Sequence, residues 1–179
     1  MPRIKPLPVN EAPDSVRTAF KEHTEKYKAR ITNMKATLGK SLPSFEVYMQ
    51  WYVLYTELEK LIGKRMAPLF AYAVSYATDC PLCSTFFRKI IIDSGIDPEN
   101  ISLSEDETKL LNFGSAIAQN KGVIPDEVYN SISNKYSEEE MILLIAFAGQ
   151  MIATNVFNNV IETEIDDYLM DYLKPLKTS

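Results

Sequence analysis

Apolar positions recur at helical spacing along most of the chain, and no partner-strand pattern interrupts them. Residues 1–12 are proline-rich and predicted to form an extended arm, lying on the surface or on a neighbouring subunit. From Pro13-Asp14-Ser15 the pattern turns helical, with Val16, Phe20 and Tyr27 on the apolar side. Gly39 to Pro43 is a break, after which Ser44 is the expected N-cap of the next helix. That helix carries Phe45, Tyr48, Met49, Tyr52 and Tyr55 at helical spacing, while Val47, Trp51, Val53 and Leu54 fill its other sides. A helix apolar all round needs cover all round, which fits either a subunit interface or a central core position. Gly63 and Pro68 punctuate the next stretch, and Leu69–Ala77 is again apolar on every side. Its alanines favour a buried helix over a buried strand, with Pro68 in the first turn.

Asp79-Cys80-Pro81-Leu82-Cys83 opens a further helix running to about Ser94, with Gly95 a suitable residue to follow its end. Ser104 with Glu107 reads as a capping box, and Ser137 with Glu140 as a second. The first introduces a helix carrying Leu110, Phe113 and Ile117; the second introduces a long apolar helix from Met141 to about Val160. Between them Pro125 starts a helix with Val128, Tyr129 and Ile132. The acidic tail after Ile161 is expected to be a solvated helix face. The pattern predicts an all-α, single-domain helical bundle of about seven helices over residues 13–179, preceded by the arm.

Length and composition narrow this reading. A chain of 179 residues corresponds to about one domain and buries about 70% of its unfolded surface. Only 6 residues are glycine, which disfavours a many-stranded fold. A net charge of −5 argues against nucleic acid as the main partner, because phosphate binding needs a basic surface. The longest apolar run, Met141 to Ala153, falls short of the roughly 20 residues a membrane span needs. No signal-like segment opens the chain, so a cytoplasmic protein with no membrane partner is expected.

The only two cysteines, Cys80 and Cys83, form a CxxC pair. In a reducing compartment such a pair is seldom a structural disulfide. With His23 the single histidine, it cannot complete a four-ligand zinc site, and no cofactor is implied. At a helix start the two sulfurs share one face at i and i+3, close enough to bridge. Asp79 is the expected cap, and the first-turn N–H groups and helix dipole stabilise a thiolate there. The bland alternative is a pair of buried thiols filling core space. Position 87, one turn beyond Cys83, is Phe87, so no acid or base follows on that face. Tyr72 and Tyr76, at i and i+4 on the preceding helix, are the candidate hydrogen-bond donors to the thiols, unless they are simply core aromatics. No GxGxxG, Walker A or GxSxG motif is present.

The order and spacing of several segments resemble one family. Arg3-Ile4-Lys5-Pro6-Leu7-Pro8 with Glu11-Ala12-Pro13 is similar to the N-terminal arm of alkylhydroperoxidase D-like proteins of the carboxymuconolactone decarboxylase superfamily. Leu38-Gly39 with Pro43-Ser44-Phe45, Ala73-Val74-Ser75 before Cys80-Pro81-Leu82-Cys83, and Asn155, Phe157 and Asn158 fit the same order over residues 3–165. The resemblance implies an all-helical homo-oligomer, usually a trimer or hexamer. It also implies a hydroperoxide-reducing dithiol in which Cys83 attacks, Cys80 resolves the product as a disulfide, and an external dithiol or thioredoxin-like partner reduces it. Two positions depart from the family pattern. Its histidine four residues after the second cysteine is Phe87 here, and its glutamate twelve residues before the first is Pro68. Those groups form the proton relay, and a positioned acid–base group is worth about 10²–10⁴-fold. Weak peroxidase activity, or a non-catalytic scaffold or redox sensor of the same fold, is therefore expected.

Overall fold

The two longest helices are the least amphipathic, and the fold is assembled around them. In the computed structural model, which describes residues 1–174, α4 (Trp51–Ala77) and α8 (Glu138–Ile161) pack against each other. α5 (Pro81–Asp93) and α6 (Glu105–Gln119) also pack on α4, and α7 (Asp126–Ser133) lies against α6 and α8. Three further helices precede them: α1 (Asp14–Tyr27), α2 (Asn33–Leu38) and α3 (Leu42–Tyr48). The described residues thus hold eight α-helices and no strand, as the all-α pattern predicts. Phe70, Phe113 and Phe147 from α4, α6 and α8 are completely buried at the centre.

Both predicted capping boxes form. Ser104 Oγ accepts the Glu107 N–H while Glu107 accepts the Ser104 N–H, and Ser137 with Glu140 does the same. Several local expectations need correction. The apolar run at 45–55 is two helices, not one: α3 ends at Tyr48 and α4 begins at Trp51, so the corner lets each half bury a different side. α3 starts at Leu42 with Ser41 as its N-cap and Pro43 in its first turn, which puts Ser44 inside the helix. α4 is broken by Gly63 at φ 84°, a left-handed backbone that glycine adopts without strain. The helix restarts before Met66, and Pro68 therefore lies beyond its first turn.

The tail also departs from expectation. Glu162 ends α8 in a left-handed conformation, and the chain folds back into a 3-10 turn at Asp167–Tyr172 that packs on α5. Leu169 is only 1% exposed, so this is a cover and not a solvated helix face. The N-terminal arm crosses its own chain: the Arg3 N–H donates to Ile161 O, and the Leu7 N–H to Ala36 O. α8 itself runs 24 residues with a hydropathy of 1.6 in its most apolar window, long and apolar enough to cross a membrane, contrary to the run-length reading. One face lies in the core through Leu144, Phe147, Ala148 and Met151; the other leaves Ile142, Ile145, Val156 and Val160 exposed.

α6 approaches α4 closely through Gly114, where an added Cβ would lie 2.8 Å from the Phe70 ring and 3.1 Å from a Val74 methyl. Gly114→Ala should therefore destabilise the protein by about 1–3 kcal/mol, the usual cost of overpacking. A differential scanning experiment should show the midpoint falling by several degrees.

Candidate active site

The site begins at the corner between α4 and α5. Thr78 ends α4, and Asp79 turns the chain at φ 49°. Cys80, not Asp79 as expected, is the N-cap of α5; Pro81 follows inside the helix and Cys83 sits at its third position. Proline suits the first turn because its missing N–H has no helical partner to lose. Cys80 thus stands where serine or aspartate usually caps a helix. Its sulfur accepts the Cys83 S–H and the backbone N–H groups of Cys83 and Leu82, which together hold its thiol below the ordinary range despite burial. Cys83 is pushed well up by donating to Cys80 and by its own burial, with the Asn158 amide opposing the shift. Of the two thiols, Cys80 is therefore the more readily ionised.

Three asparagines of α8 hold this corner. Asn155 Nδ2 donates to Thr78 Oγ1 at 2.6 Å, and Asn159 Nδ2 donates to Thr78 O at 3.1 Å and Asp79 O at 3.3 Å. Between them Asn158 Nδ2 donates to Cys83 Sγ at 3.2 Å, while its Oδ1 accepts the Thr163 hydroxyl at 2.9 Å. The amide orientation is thereby fixed: Thr163 supplies a donor to the oxygen, so the nitrogen faces sulfur.

Cys83 opens onto a cavity of about 60 Å³. Trp51, Phe86, Phe87 and Met151 form part of its apolar wall, and Leu82 and Leu169 also line it. Cys80 does not line the cavity; it packs behind with Leu169 and is 1% exposed. Polar groups line it as well: Lys35 from α2, Tyr52 from α4 and Asp166 from the returning tail. Burial pulls the Lys35 ammonium down to about 8 and pushes the Asp166 carboxyl up. Among the described residues no group of three His, Cys, Asp or Glu side chains is placed to hold a metal ion.

No protein-family profile matches the sequence, and no curated protein matches it. Solved structures do. The debrominase Bmp8 matches with a TM-score of 0.78 at 19% identity, covering 94% of this chain and 95% of that one. A cysteine-to-alanine variant of Bmp8 in complex with 2,3,4-tribromopyrrole matches with the same score at 17% identity, over 94% of each chain. An alkylhydroperoxidase D core protein from Ralstonia eutropha JMP134, an uncharacterised peroxidase-related protein, matches at 0.64 with 14% identity, over 93% of this chain and 94% of that one. The chain has the alkylhydroperoxidase D-like fold. A peroxidase-related protein from Silicibacter sp. TM1040 shares it, at 0.69 and 13% identity over 91% of each chain.

Within this fold the predicted site residues separate into two places. Cys80 and Cys83 are together at the α5 start. Tyr72 and Tyr76 are not with them: neither lines the cavity, Tyr76 is 53% exposed, and its hydroxyl accepts from Lys174 at 3.2 Å. The two rings are tilted against each other, with centroids 5.9 Å apart. Phe87 is 3% exposed and packs edge-on to Phe86 and Trp51. Sequence reading missed Lys35, Tyr52 and Asp166, which come from three distant segments. For Asn158, the asparagine-rich stretch of α8 was a visible signal, but its sulfur partner was not.

Asn158→Leu removes the one side-chain amide on Cys83. In a Cys80→Ser background, where only Cys83 can react, alkylation by a small haloacetamide should slow about tenfold, the scale of a charge-assisted hydrogen bond. Mass spectrometry of the modified protein against time measures it.

Proposed function

We propose that the protein is a dithiol-dependent reductase of small hydroperoxides, with Cys83 as the nucleophile and Cys80 as the resolving thiol. The observation that carries this reading is the unequal placement of the two sulfurs. Cys83 faces the cavity with the Asn158 amide on it, and Cys80 caps the helix directly behind. Cys83 passes its proton to Cys80 and attacks the distal peroxide oxygen. An S–O bond forms, the O–O bond breaks, and the leaving alkoxide takes the proton back from Cys80. The Cys80 thiolate then attacks the Cys83 sulfur: the S–S bond forms, the S–O bond breaks, and hydroxide leaves, protonated by solvent. An external dithiol or thioredoxin-like partner returns both thiols. In this scheme Cys80 takes over part of the proton traffic that the family assigns to the positions of Phe87 and Pro68. Activity below that of relay-bearing relatives is expected, on the order of 10²–10⁴-fold.

The test is hydroperoxide consumption with a dithiol reductant. Wild type should turn over; Cys83→Ser should fall to the uncatalysed rate, and Cys80→Ser should stop after one turnover with an oxidised Cys83. A wild type matching the blank, with two titratable free thiols, rejects the reading.

A second reading, reductive dehalogenation of a small haloaromatic by the same dithiol, is favoured by the likeness to the debrominase over 94% of the chain and by the aromatic cavity wall. Bromide release from a brominated pyrrole, measured beside peroxide consumption, separates the two chemistries.

We also propose a homo-oligomer, trimeric or hexameric, in a reducing cytoplasmic compartment. The outer face of α8 supports the assembly: Ile142, Ile145, Gly149, Ala153, Val156 and Val160 form an exposed apolar stripe at helical spacing. A second copy of this face would bury it. Ala153→Glu should convert the assembly to monomers, read by light scattering after gel filtration, with helical circular dichroism unchanged.

A further inference from the structure

Two opposite charges line the cavity beside Cys83, yet among the described residues no ion pair joins them. Lys35 is only 5% exposed, and its ammonium donates to Arg30 O at 3.0 Å and to Tyr52 Oη at 2.9 Å. Both acceptors are neutral. An ammonium has three N–H donors, so one is left over. Asp166 accepts the Asn33 N–H on Oδ1 at 2.9 Å, while its Oδ2 is buried with no partner among the described residues. Arg30, which could have paired with it, has its guanidinium over the Tyr168 ring, 4.1 Å from the centroid. Leaving a buried ammonium donor and a buried carboxylate oxygen unmatched within one cavity is costly unless something else completes them.

We infer that Lys35 and Asp166 form a donor–acceptor pole that binds the hydroxyl head of a small ligand. The spare Lys35 N–H donates to the hydroxyl oxygen, and the hydroxyl hydrogen is given to Asp166 Oδ2. The ligand body lies against Trp51, Phe86 and Phe87, and its far edge reaches Cys83. The class is a phenol or similarly compact hydroxylated molecule. A plain carboxylate fits less well, because it has no hydrogen for Asp166 and adds a second negative charge beside it. A purely apolar ligand leaves both groups unmatched. The inference rests on the reductase reading for what Cys83 does to the ligand, and on the cavity alone for how the ligand is held.

The experiment needs no turnover. Trp51 is the sequence's single tryptophan and lines the cavity, so its fluorescence reports occupancy. Phenol, toluene and benzoate, three one-ring probes of similar width, are titrated into the Cys83→Ser protein. Phenol should bind about tenfold more tightly than toluene, the scale of one to two net hydrogen bonds. Asp166→Leu and, separately, Lys35→Met should each bring phenol to the toluene level while toluene affinity stays within about twofold, which also shows that the variants keep the cavity. Equal binding of phenol and toluene, no binding of any probe, or tighter binding of benzoate than of phenol overturns the inference. Phenol selectivity in a protein whose wild type consumes no hydroperoxide would uphold the pole and reject the peroxidase chemistry.

Discussion

The grip of α8 on the α4–α5 corner is the interaction on which the site depends. The backbone at Thr78 and Asp79 turns sharply between two packed helices, leaving carbonyls that no helix can satisfy. Asn155 and Asn159 donate to that corner, and Asn158 extends the same row to the Cys83 sulfur. Asn159 meets the two corner carbonyls, Asn155 the Thr78 hydroxyl and Asn158 the sulfur, so the three amides tie the corner and the first turn of α5 to one helix. Any shift of α8 relative to α4 would move the cysteine pair with it.

The first turn of α5 makes two chemically identical side chains unequal. Cys80 sits at the N-cap and gathers backbone N–H groups, which favour its thiolate. Cys83 sits one turn deeper, donates to Cys80, and meets the cavity. The more acidic sulfur and the more accessible one are therefore different. The proposed chemistry begins with one proton moving between them, a step that needs no further acid or base. That arrangement gives physical content to a dithiol working beside an aromatic Phe87, where the related pattern has histidine.

The cavity is closed by parts of the chain that look unremarkable one by one. α2 brings Lys35, the start of α4 brings Trp51 and Tyr52, and the returning tail brings Asp166, Tyr168 and Leu169. The tail can reach the site because Glu162 ends α8 in a left-handed turn that sends the chain back over α5. Its acidic composition suits solvent, yet Asp166 is held by the Asn33 amide and Leu169 by the cysteine cluster.

The sequence by itself determined the helical class, the cysteine pair at a helix start and the ends of several helices. These are local matters: capping boxes, a proline in a first turn and a glycine past a helix end act within four residues, so spacing reveals them. Where local signals compete, spacing failed. The apolar run at 45–55 carries no mark that distinguishes one helix from two, because both halves are covered by other segments. Only the tertiary structure decided which tyrosine reaches the cavity, Tyr52 and not Tyr72 or Tyr76, since that follows from how α4 is rotated against α5 and α8. It alone decided the division between the sulfurs, which depends on which of them meets the cavity walled by distant segments. It alone also brought Lys35 and Asp166 into one cavity, because burial and proximity between distant segments are properties of packing and leave no period in the chain.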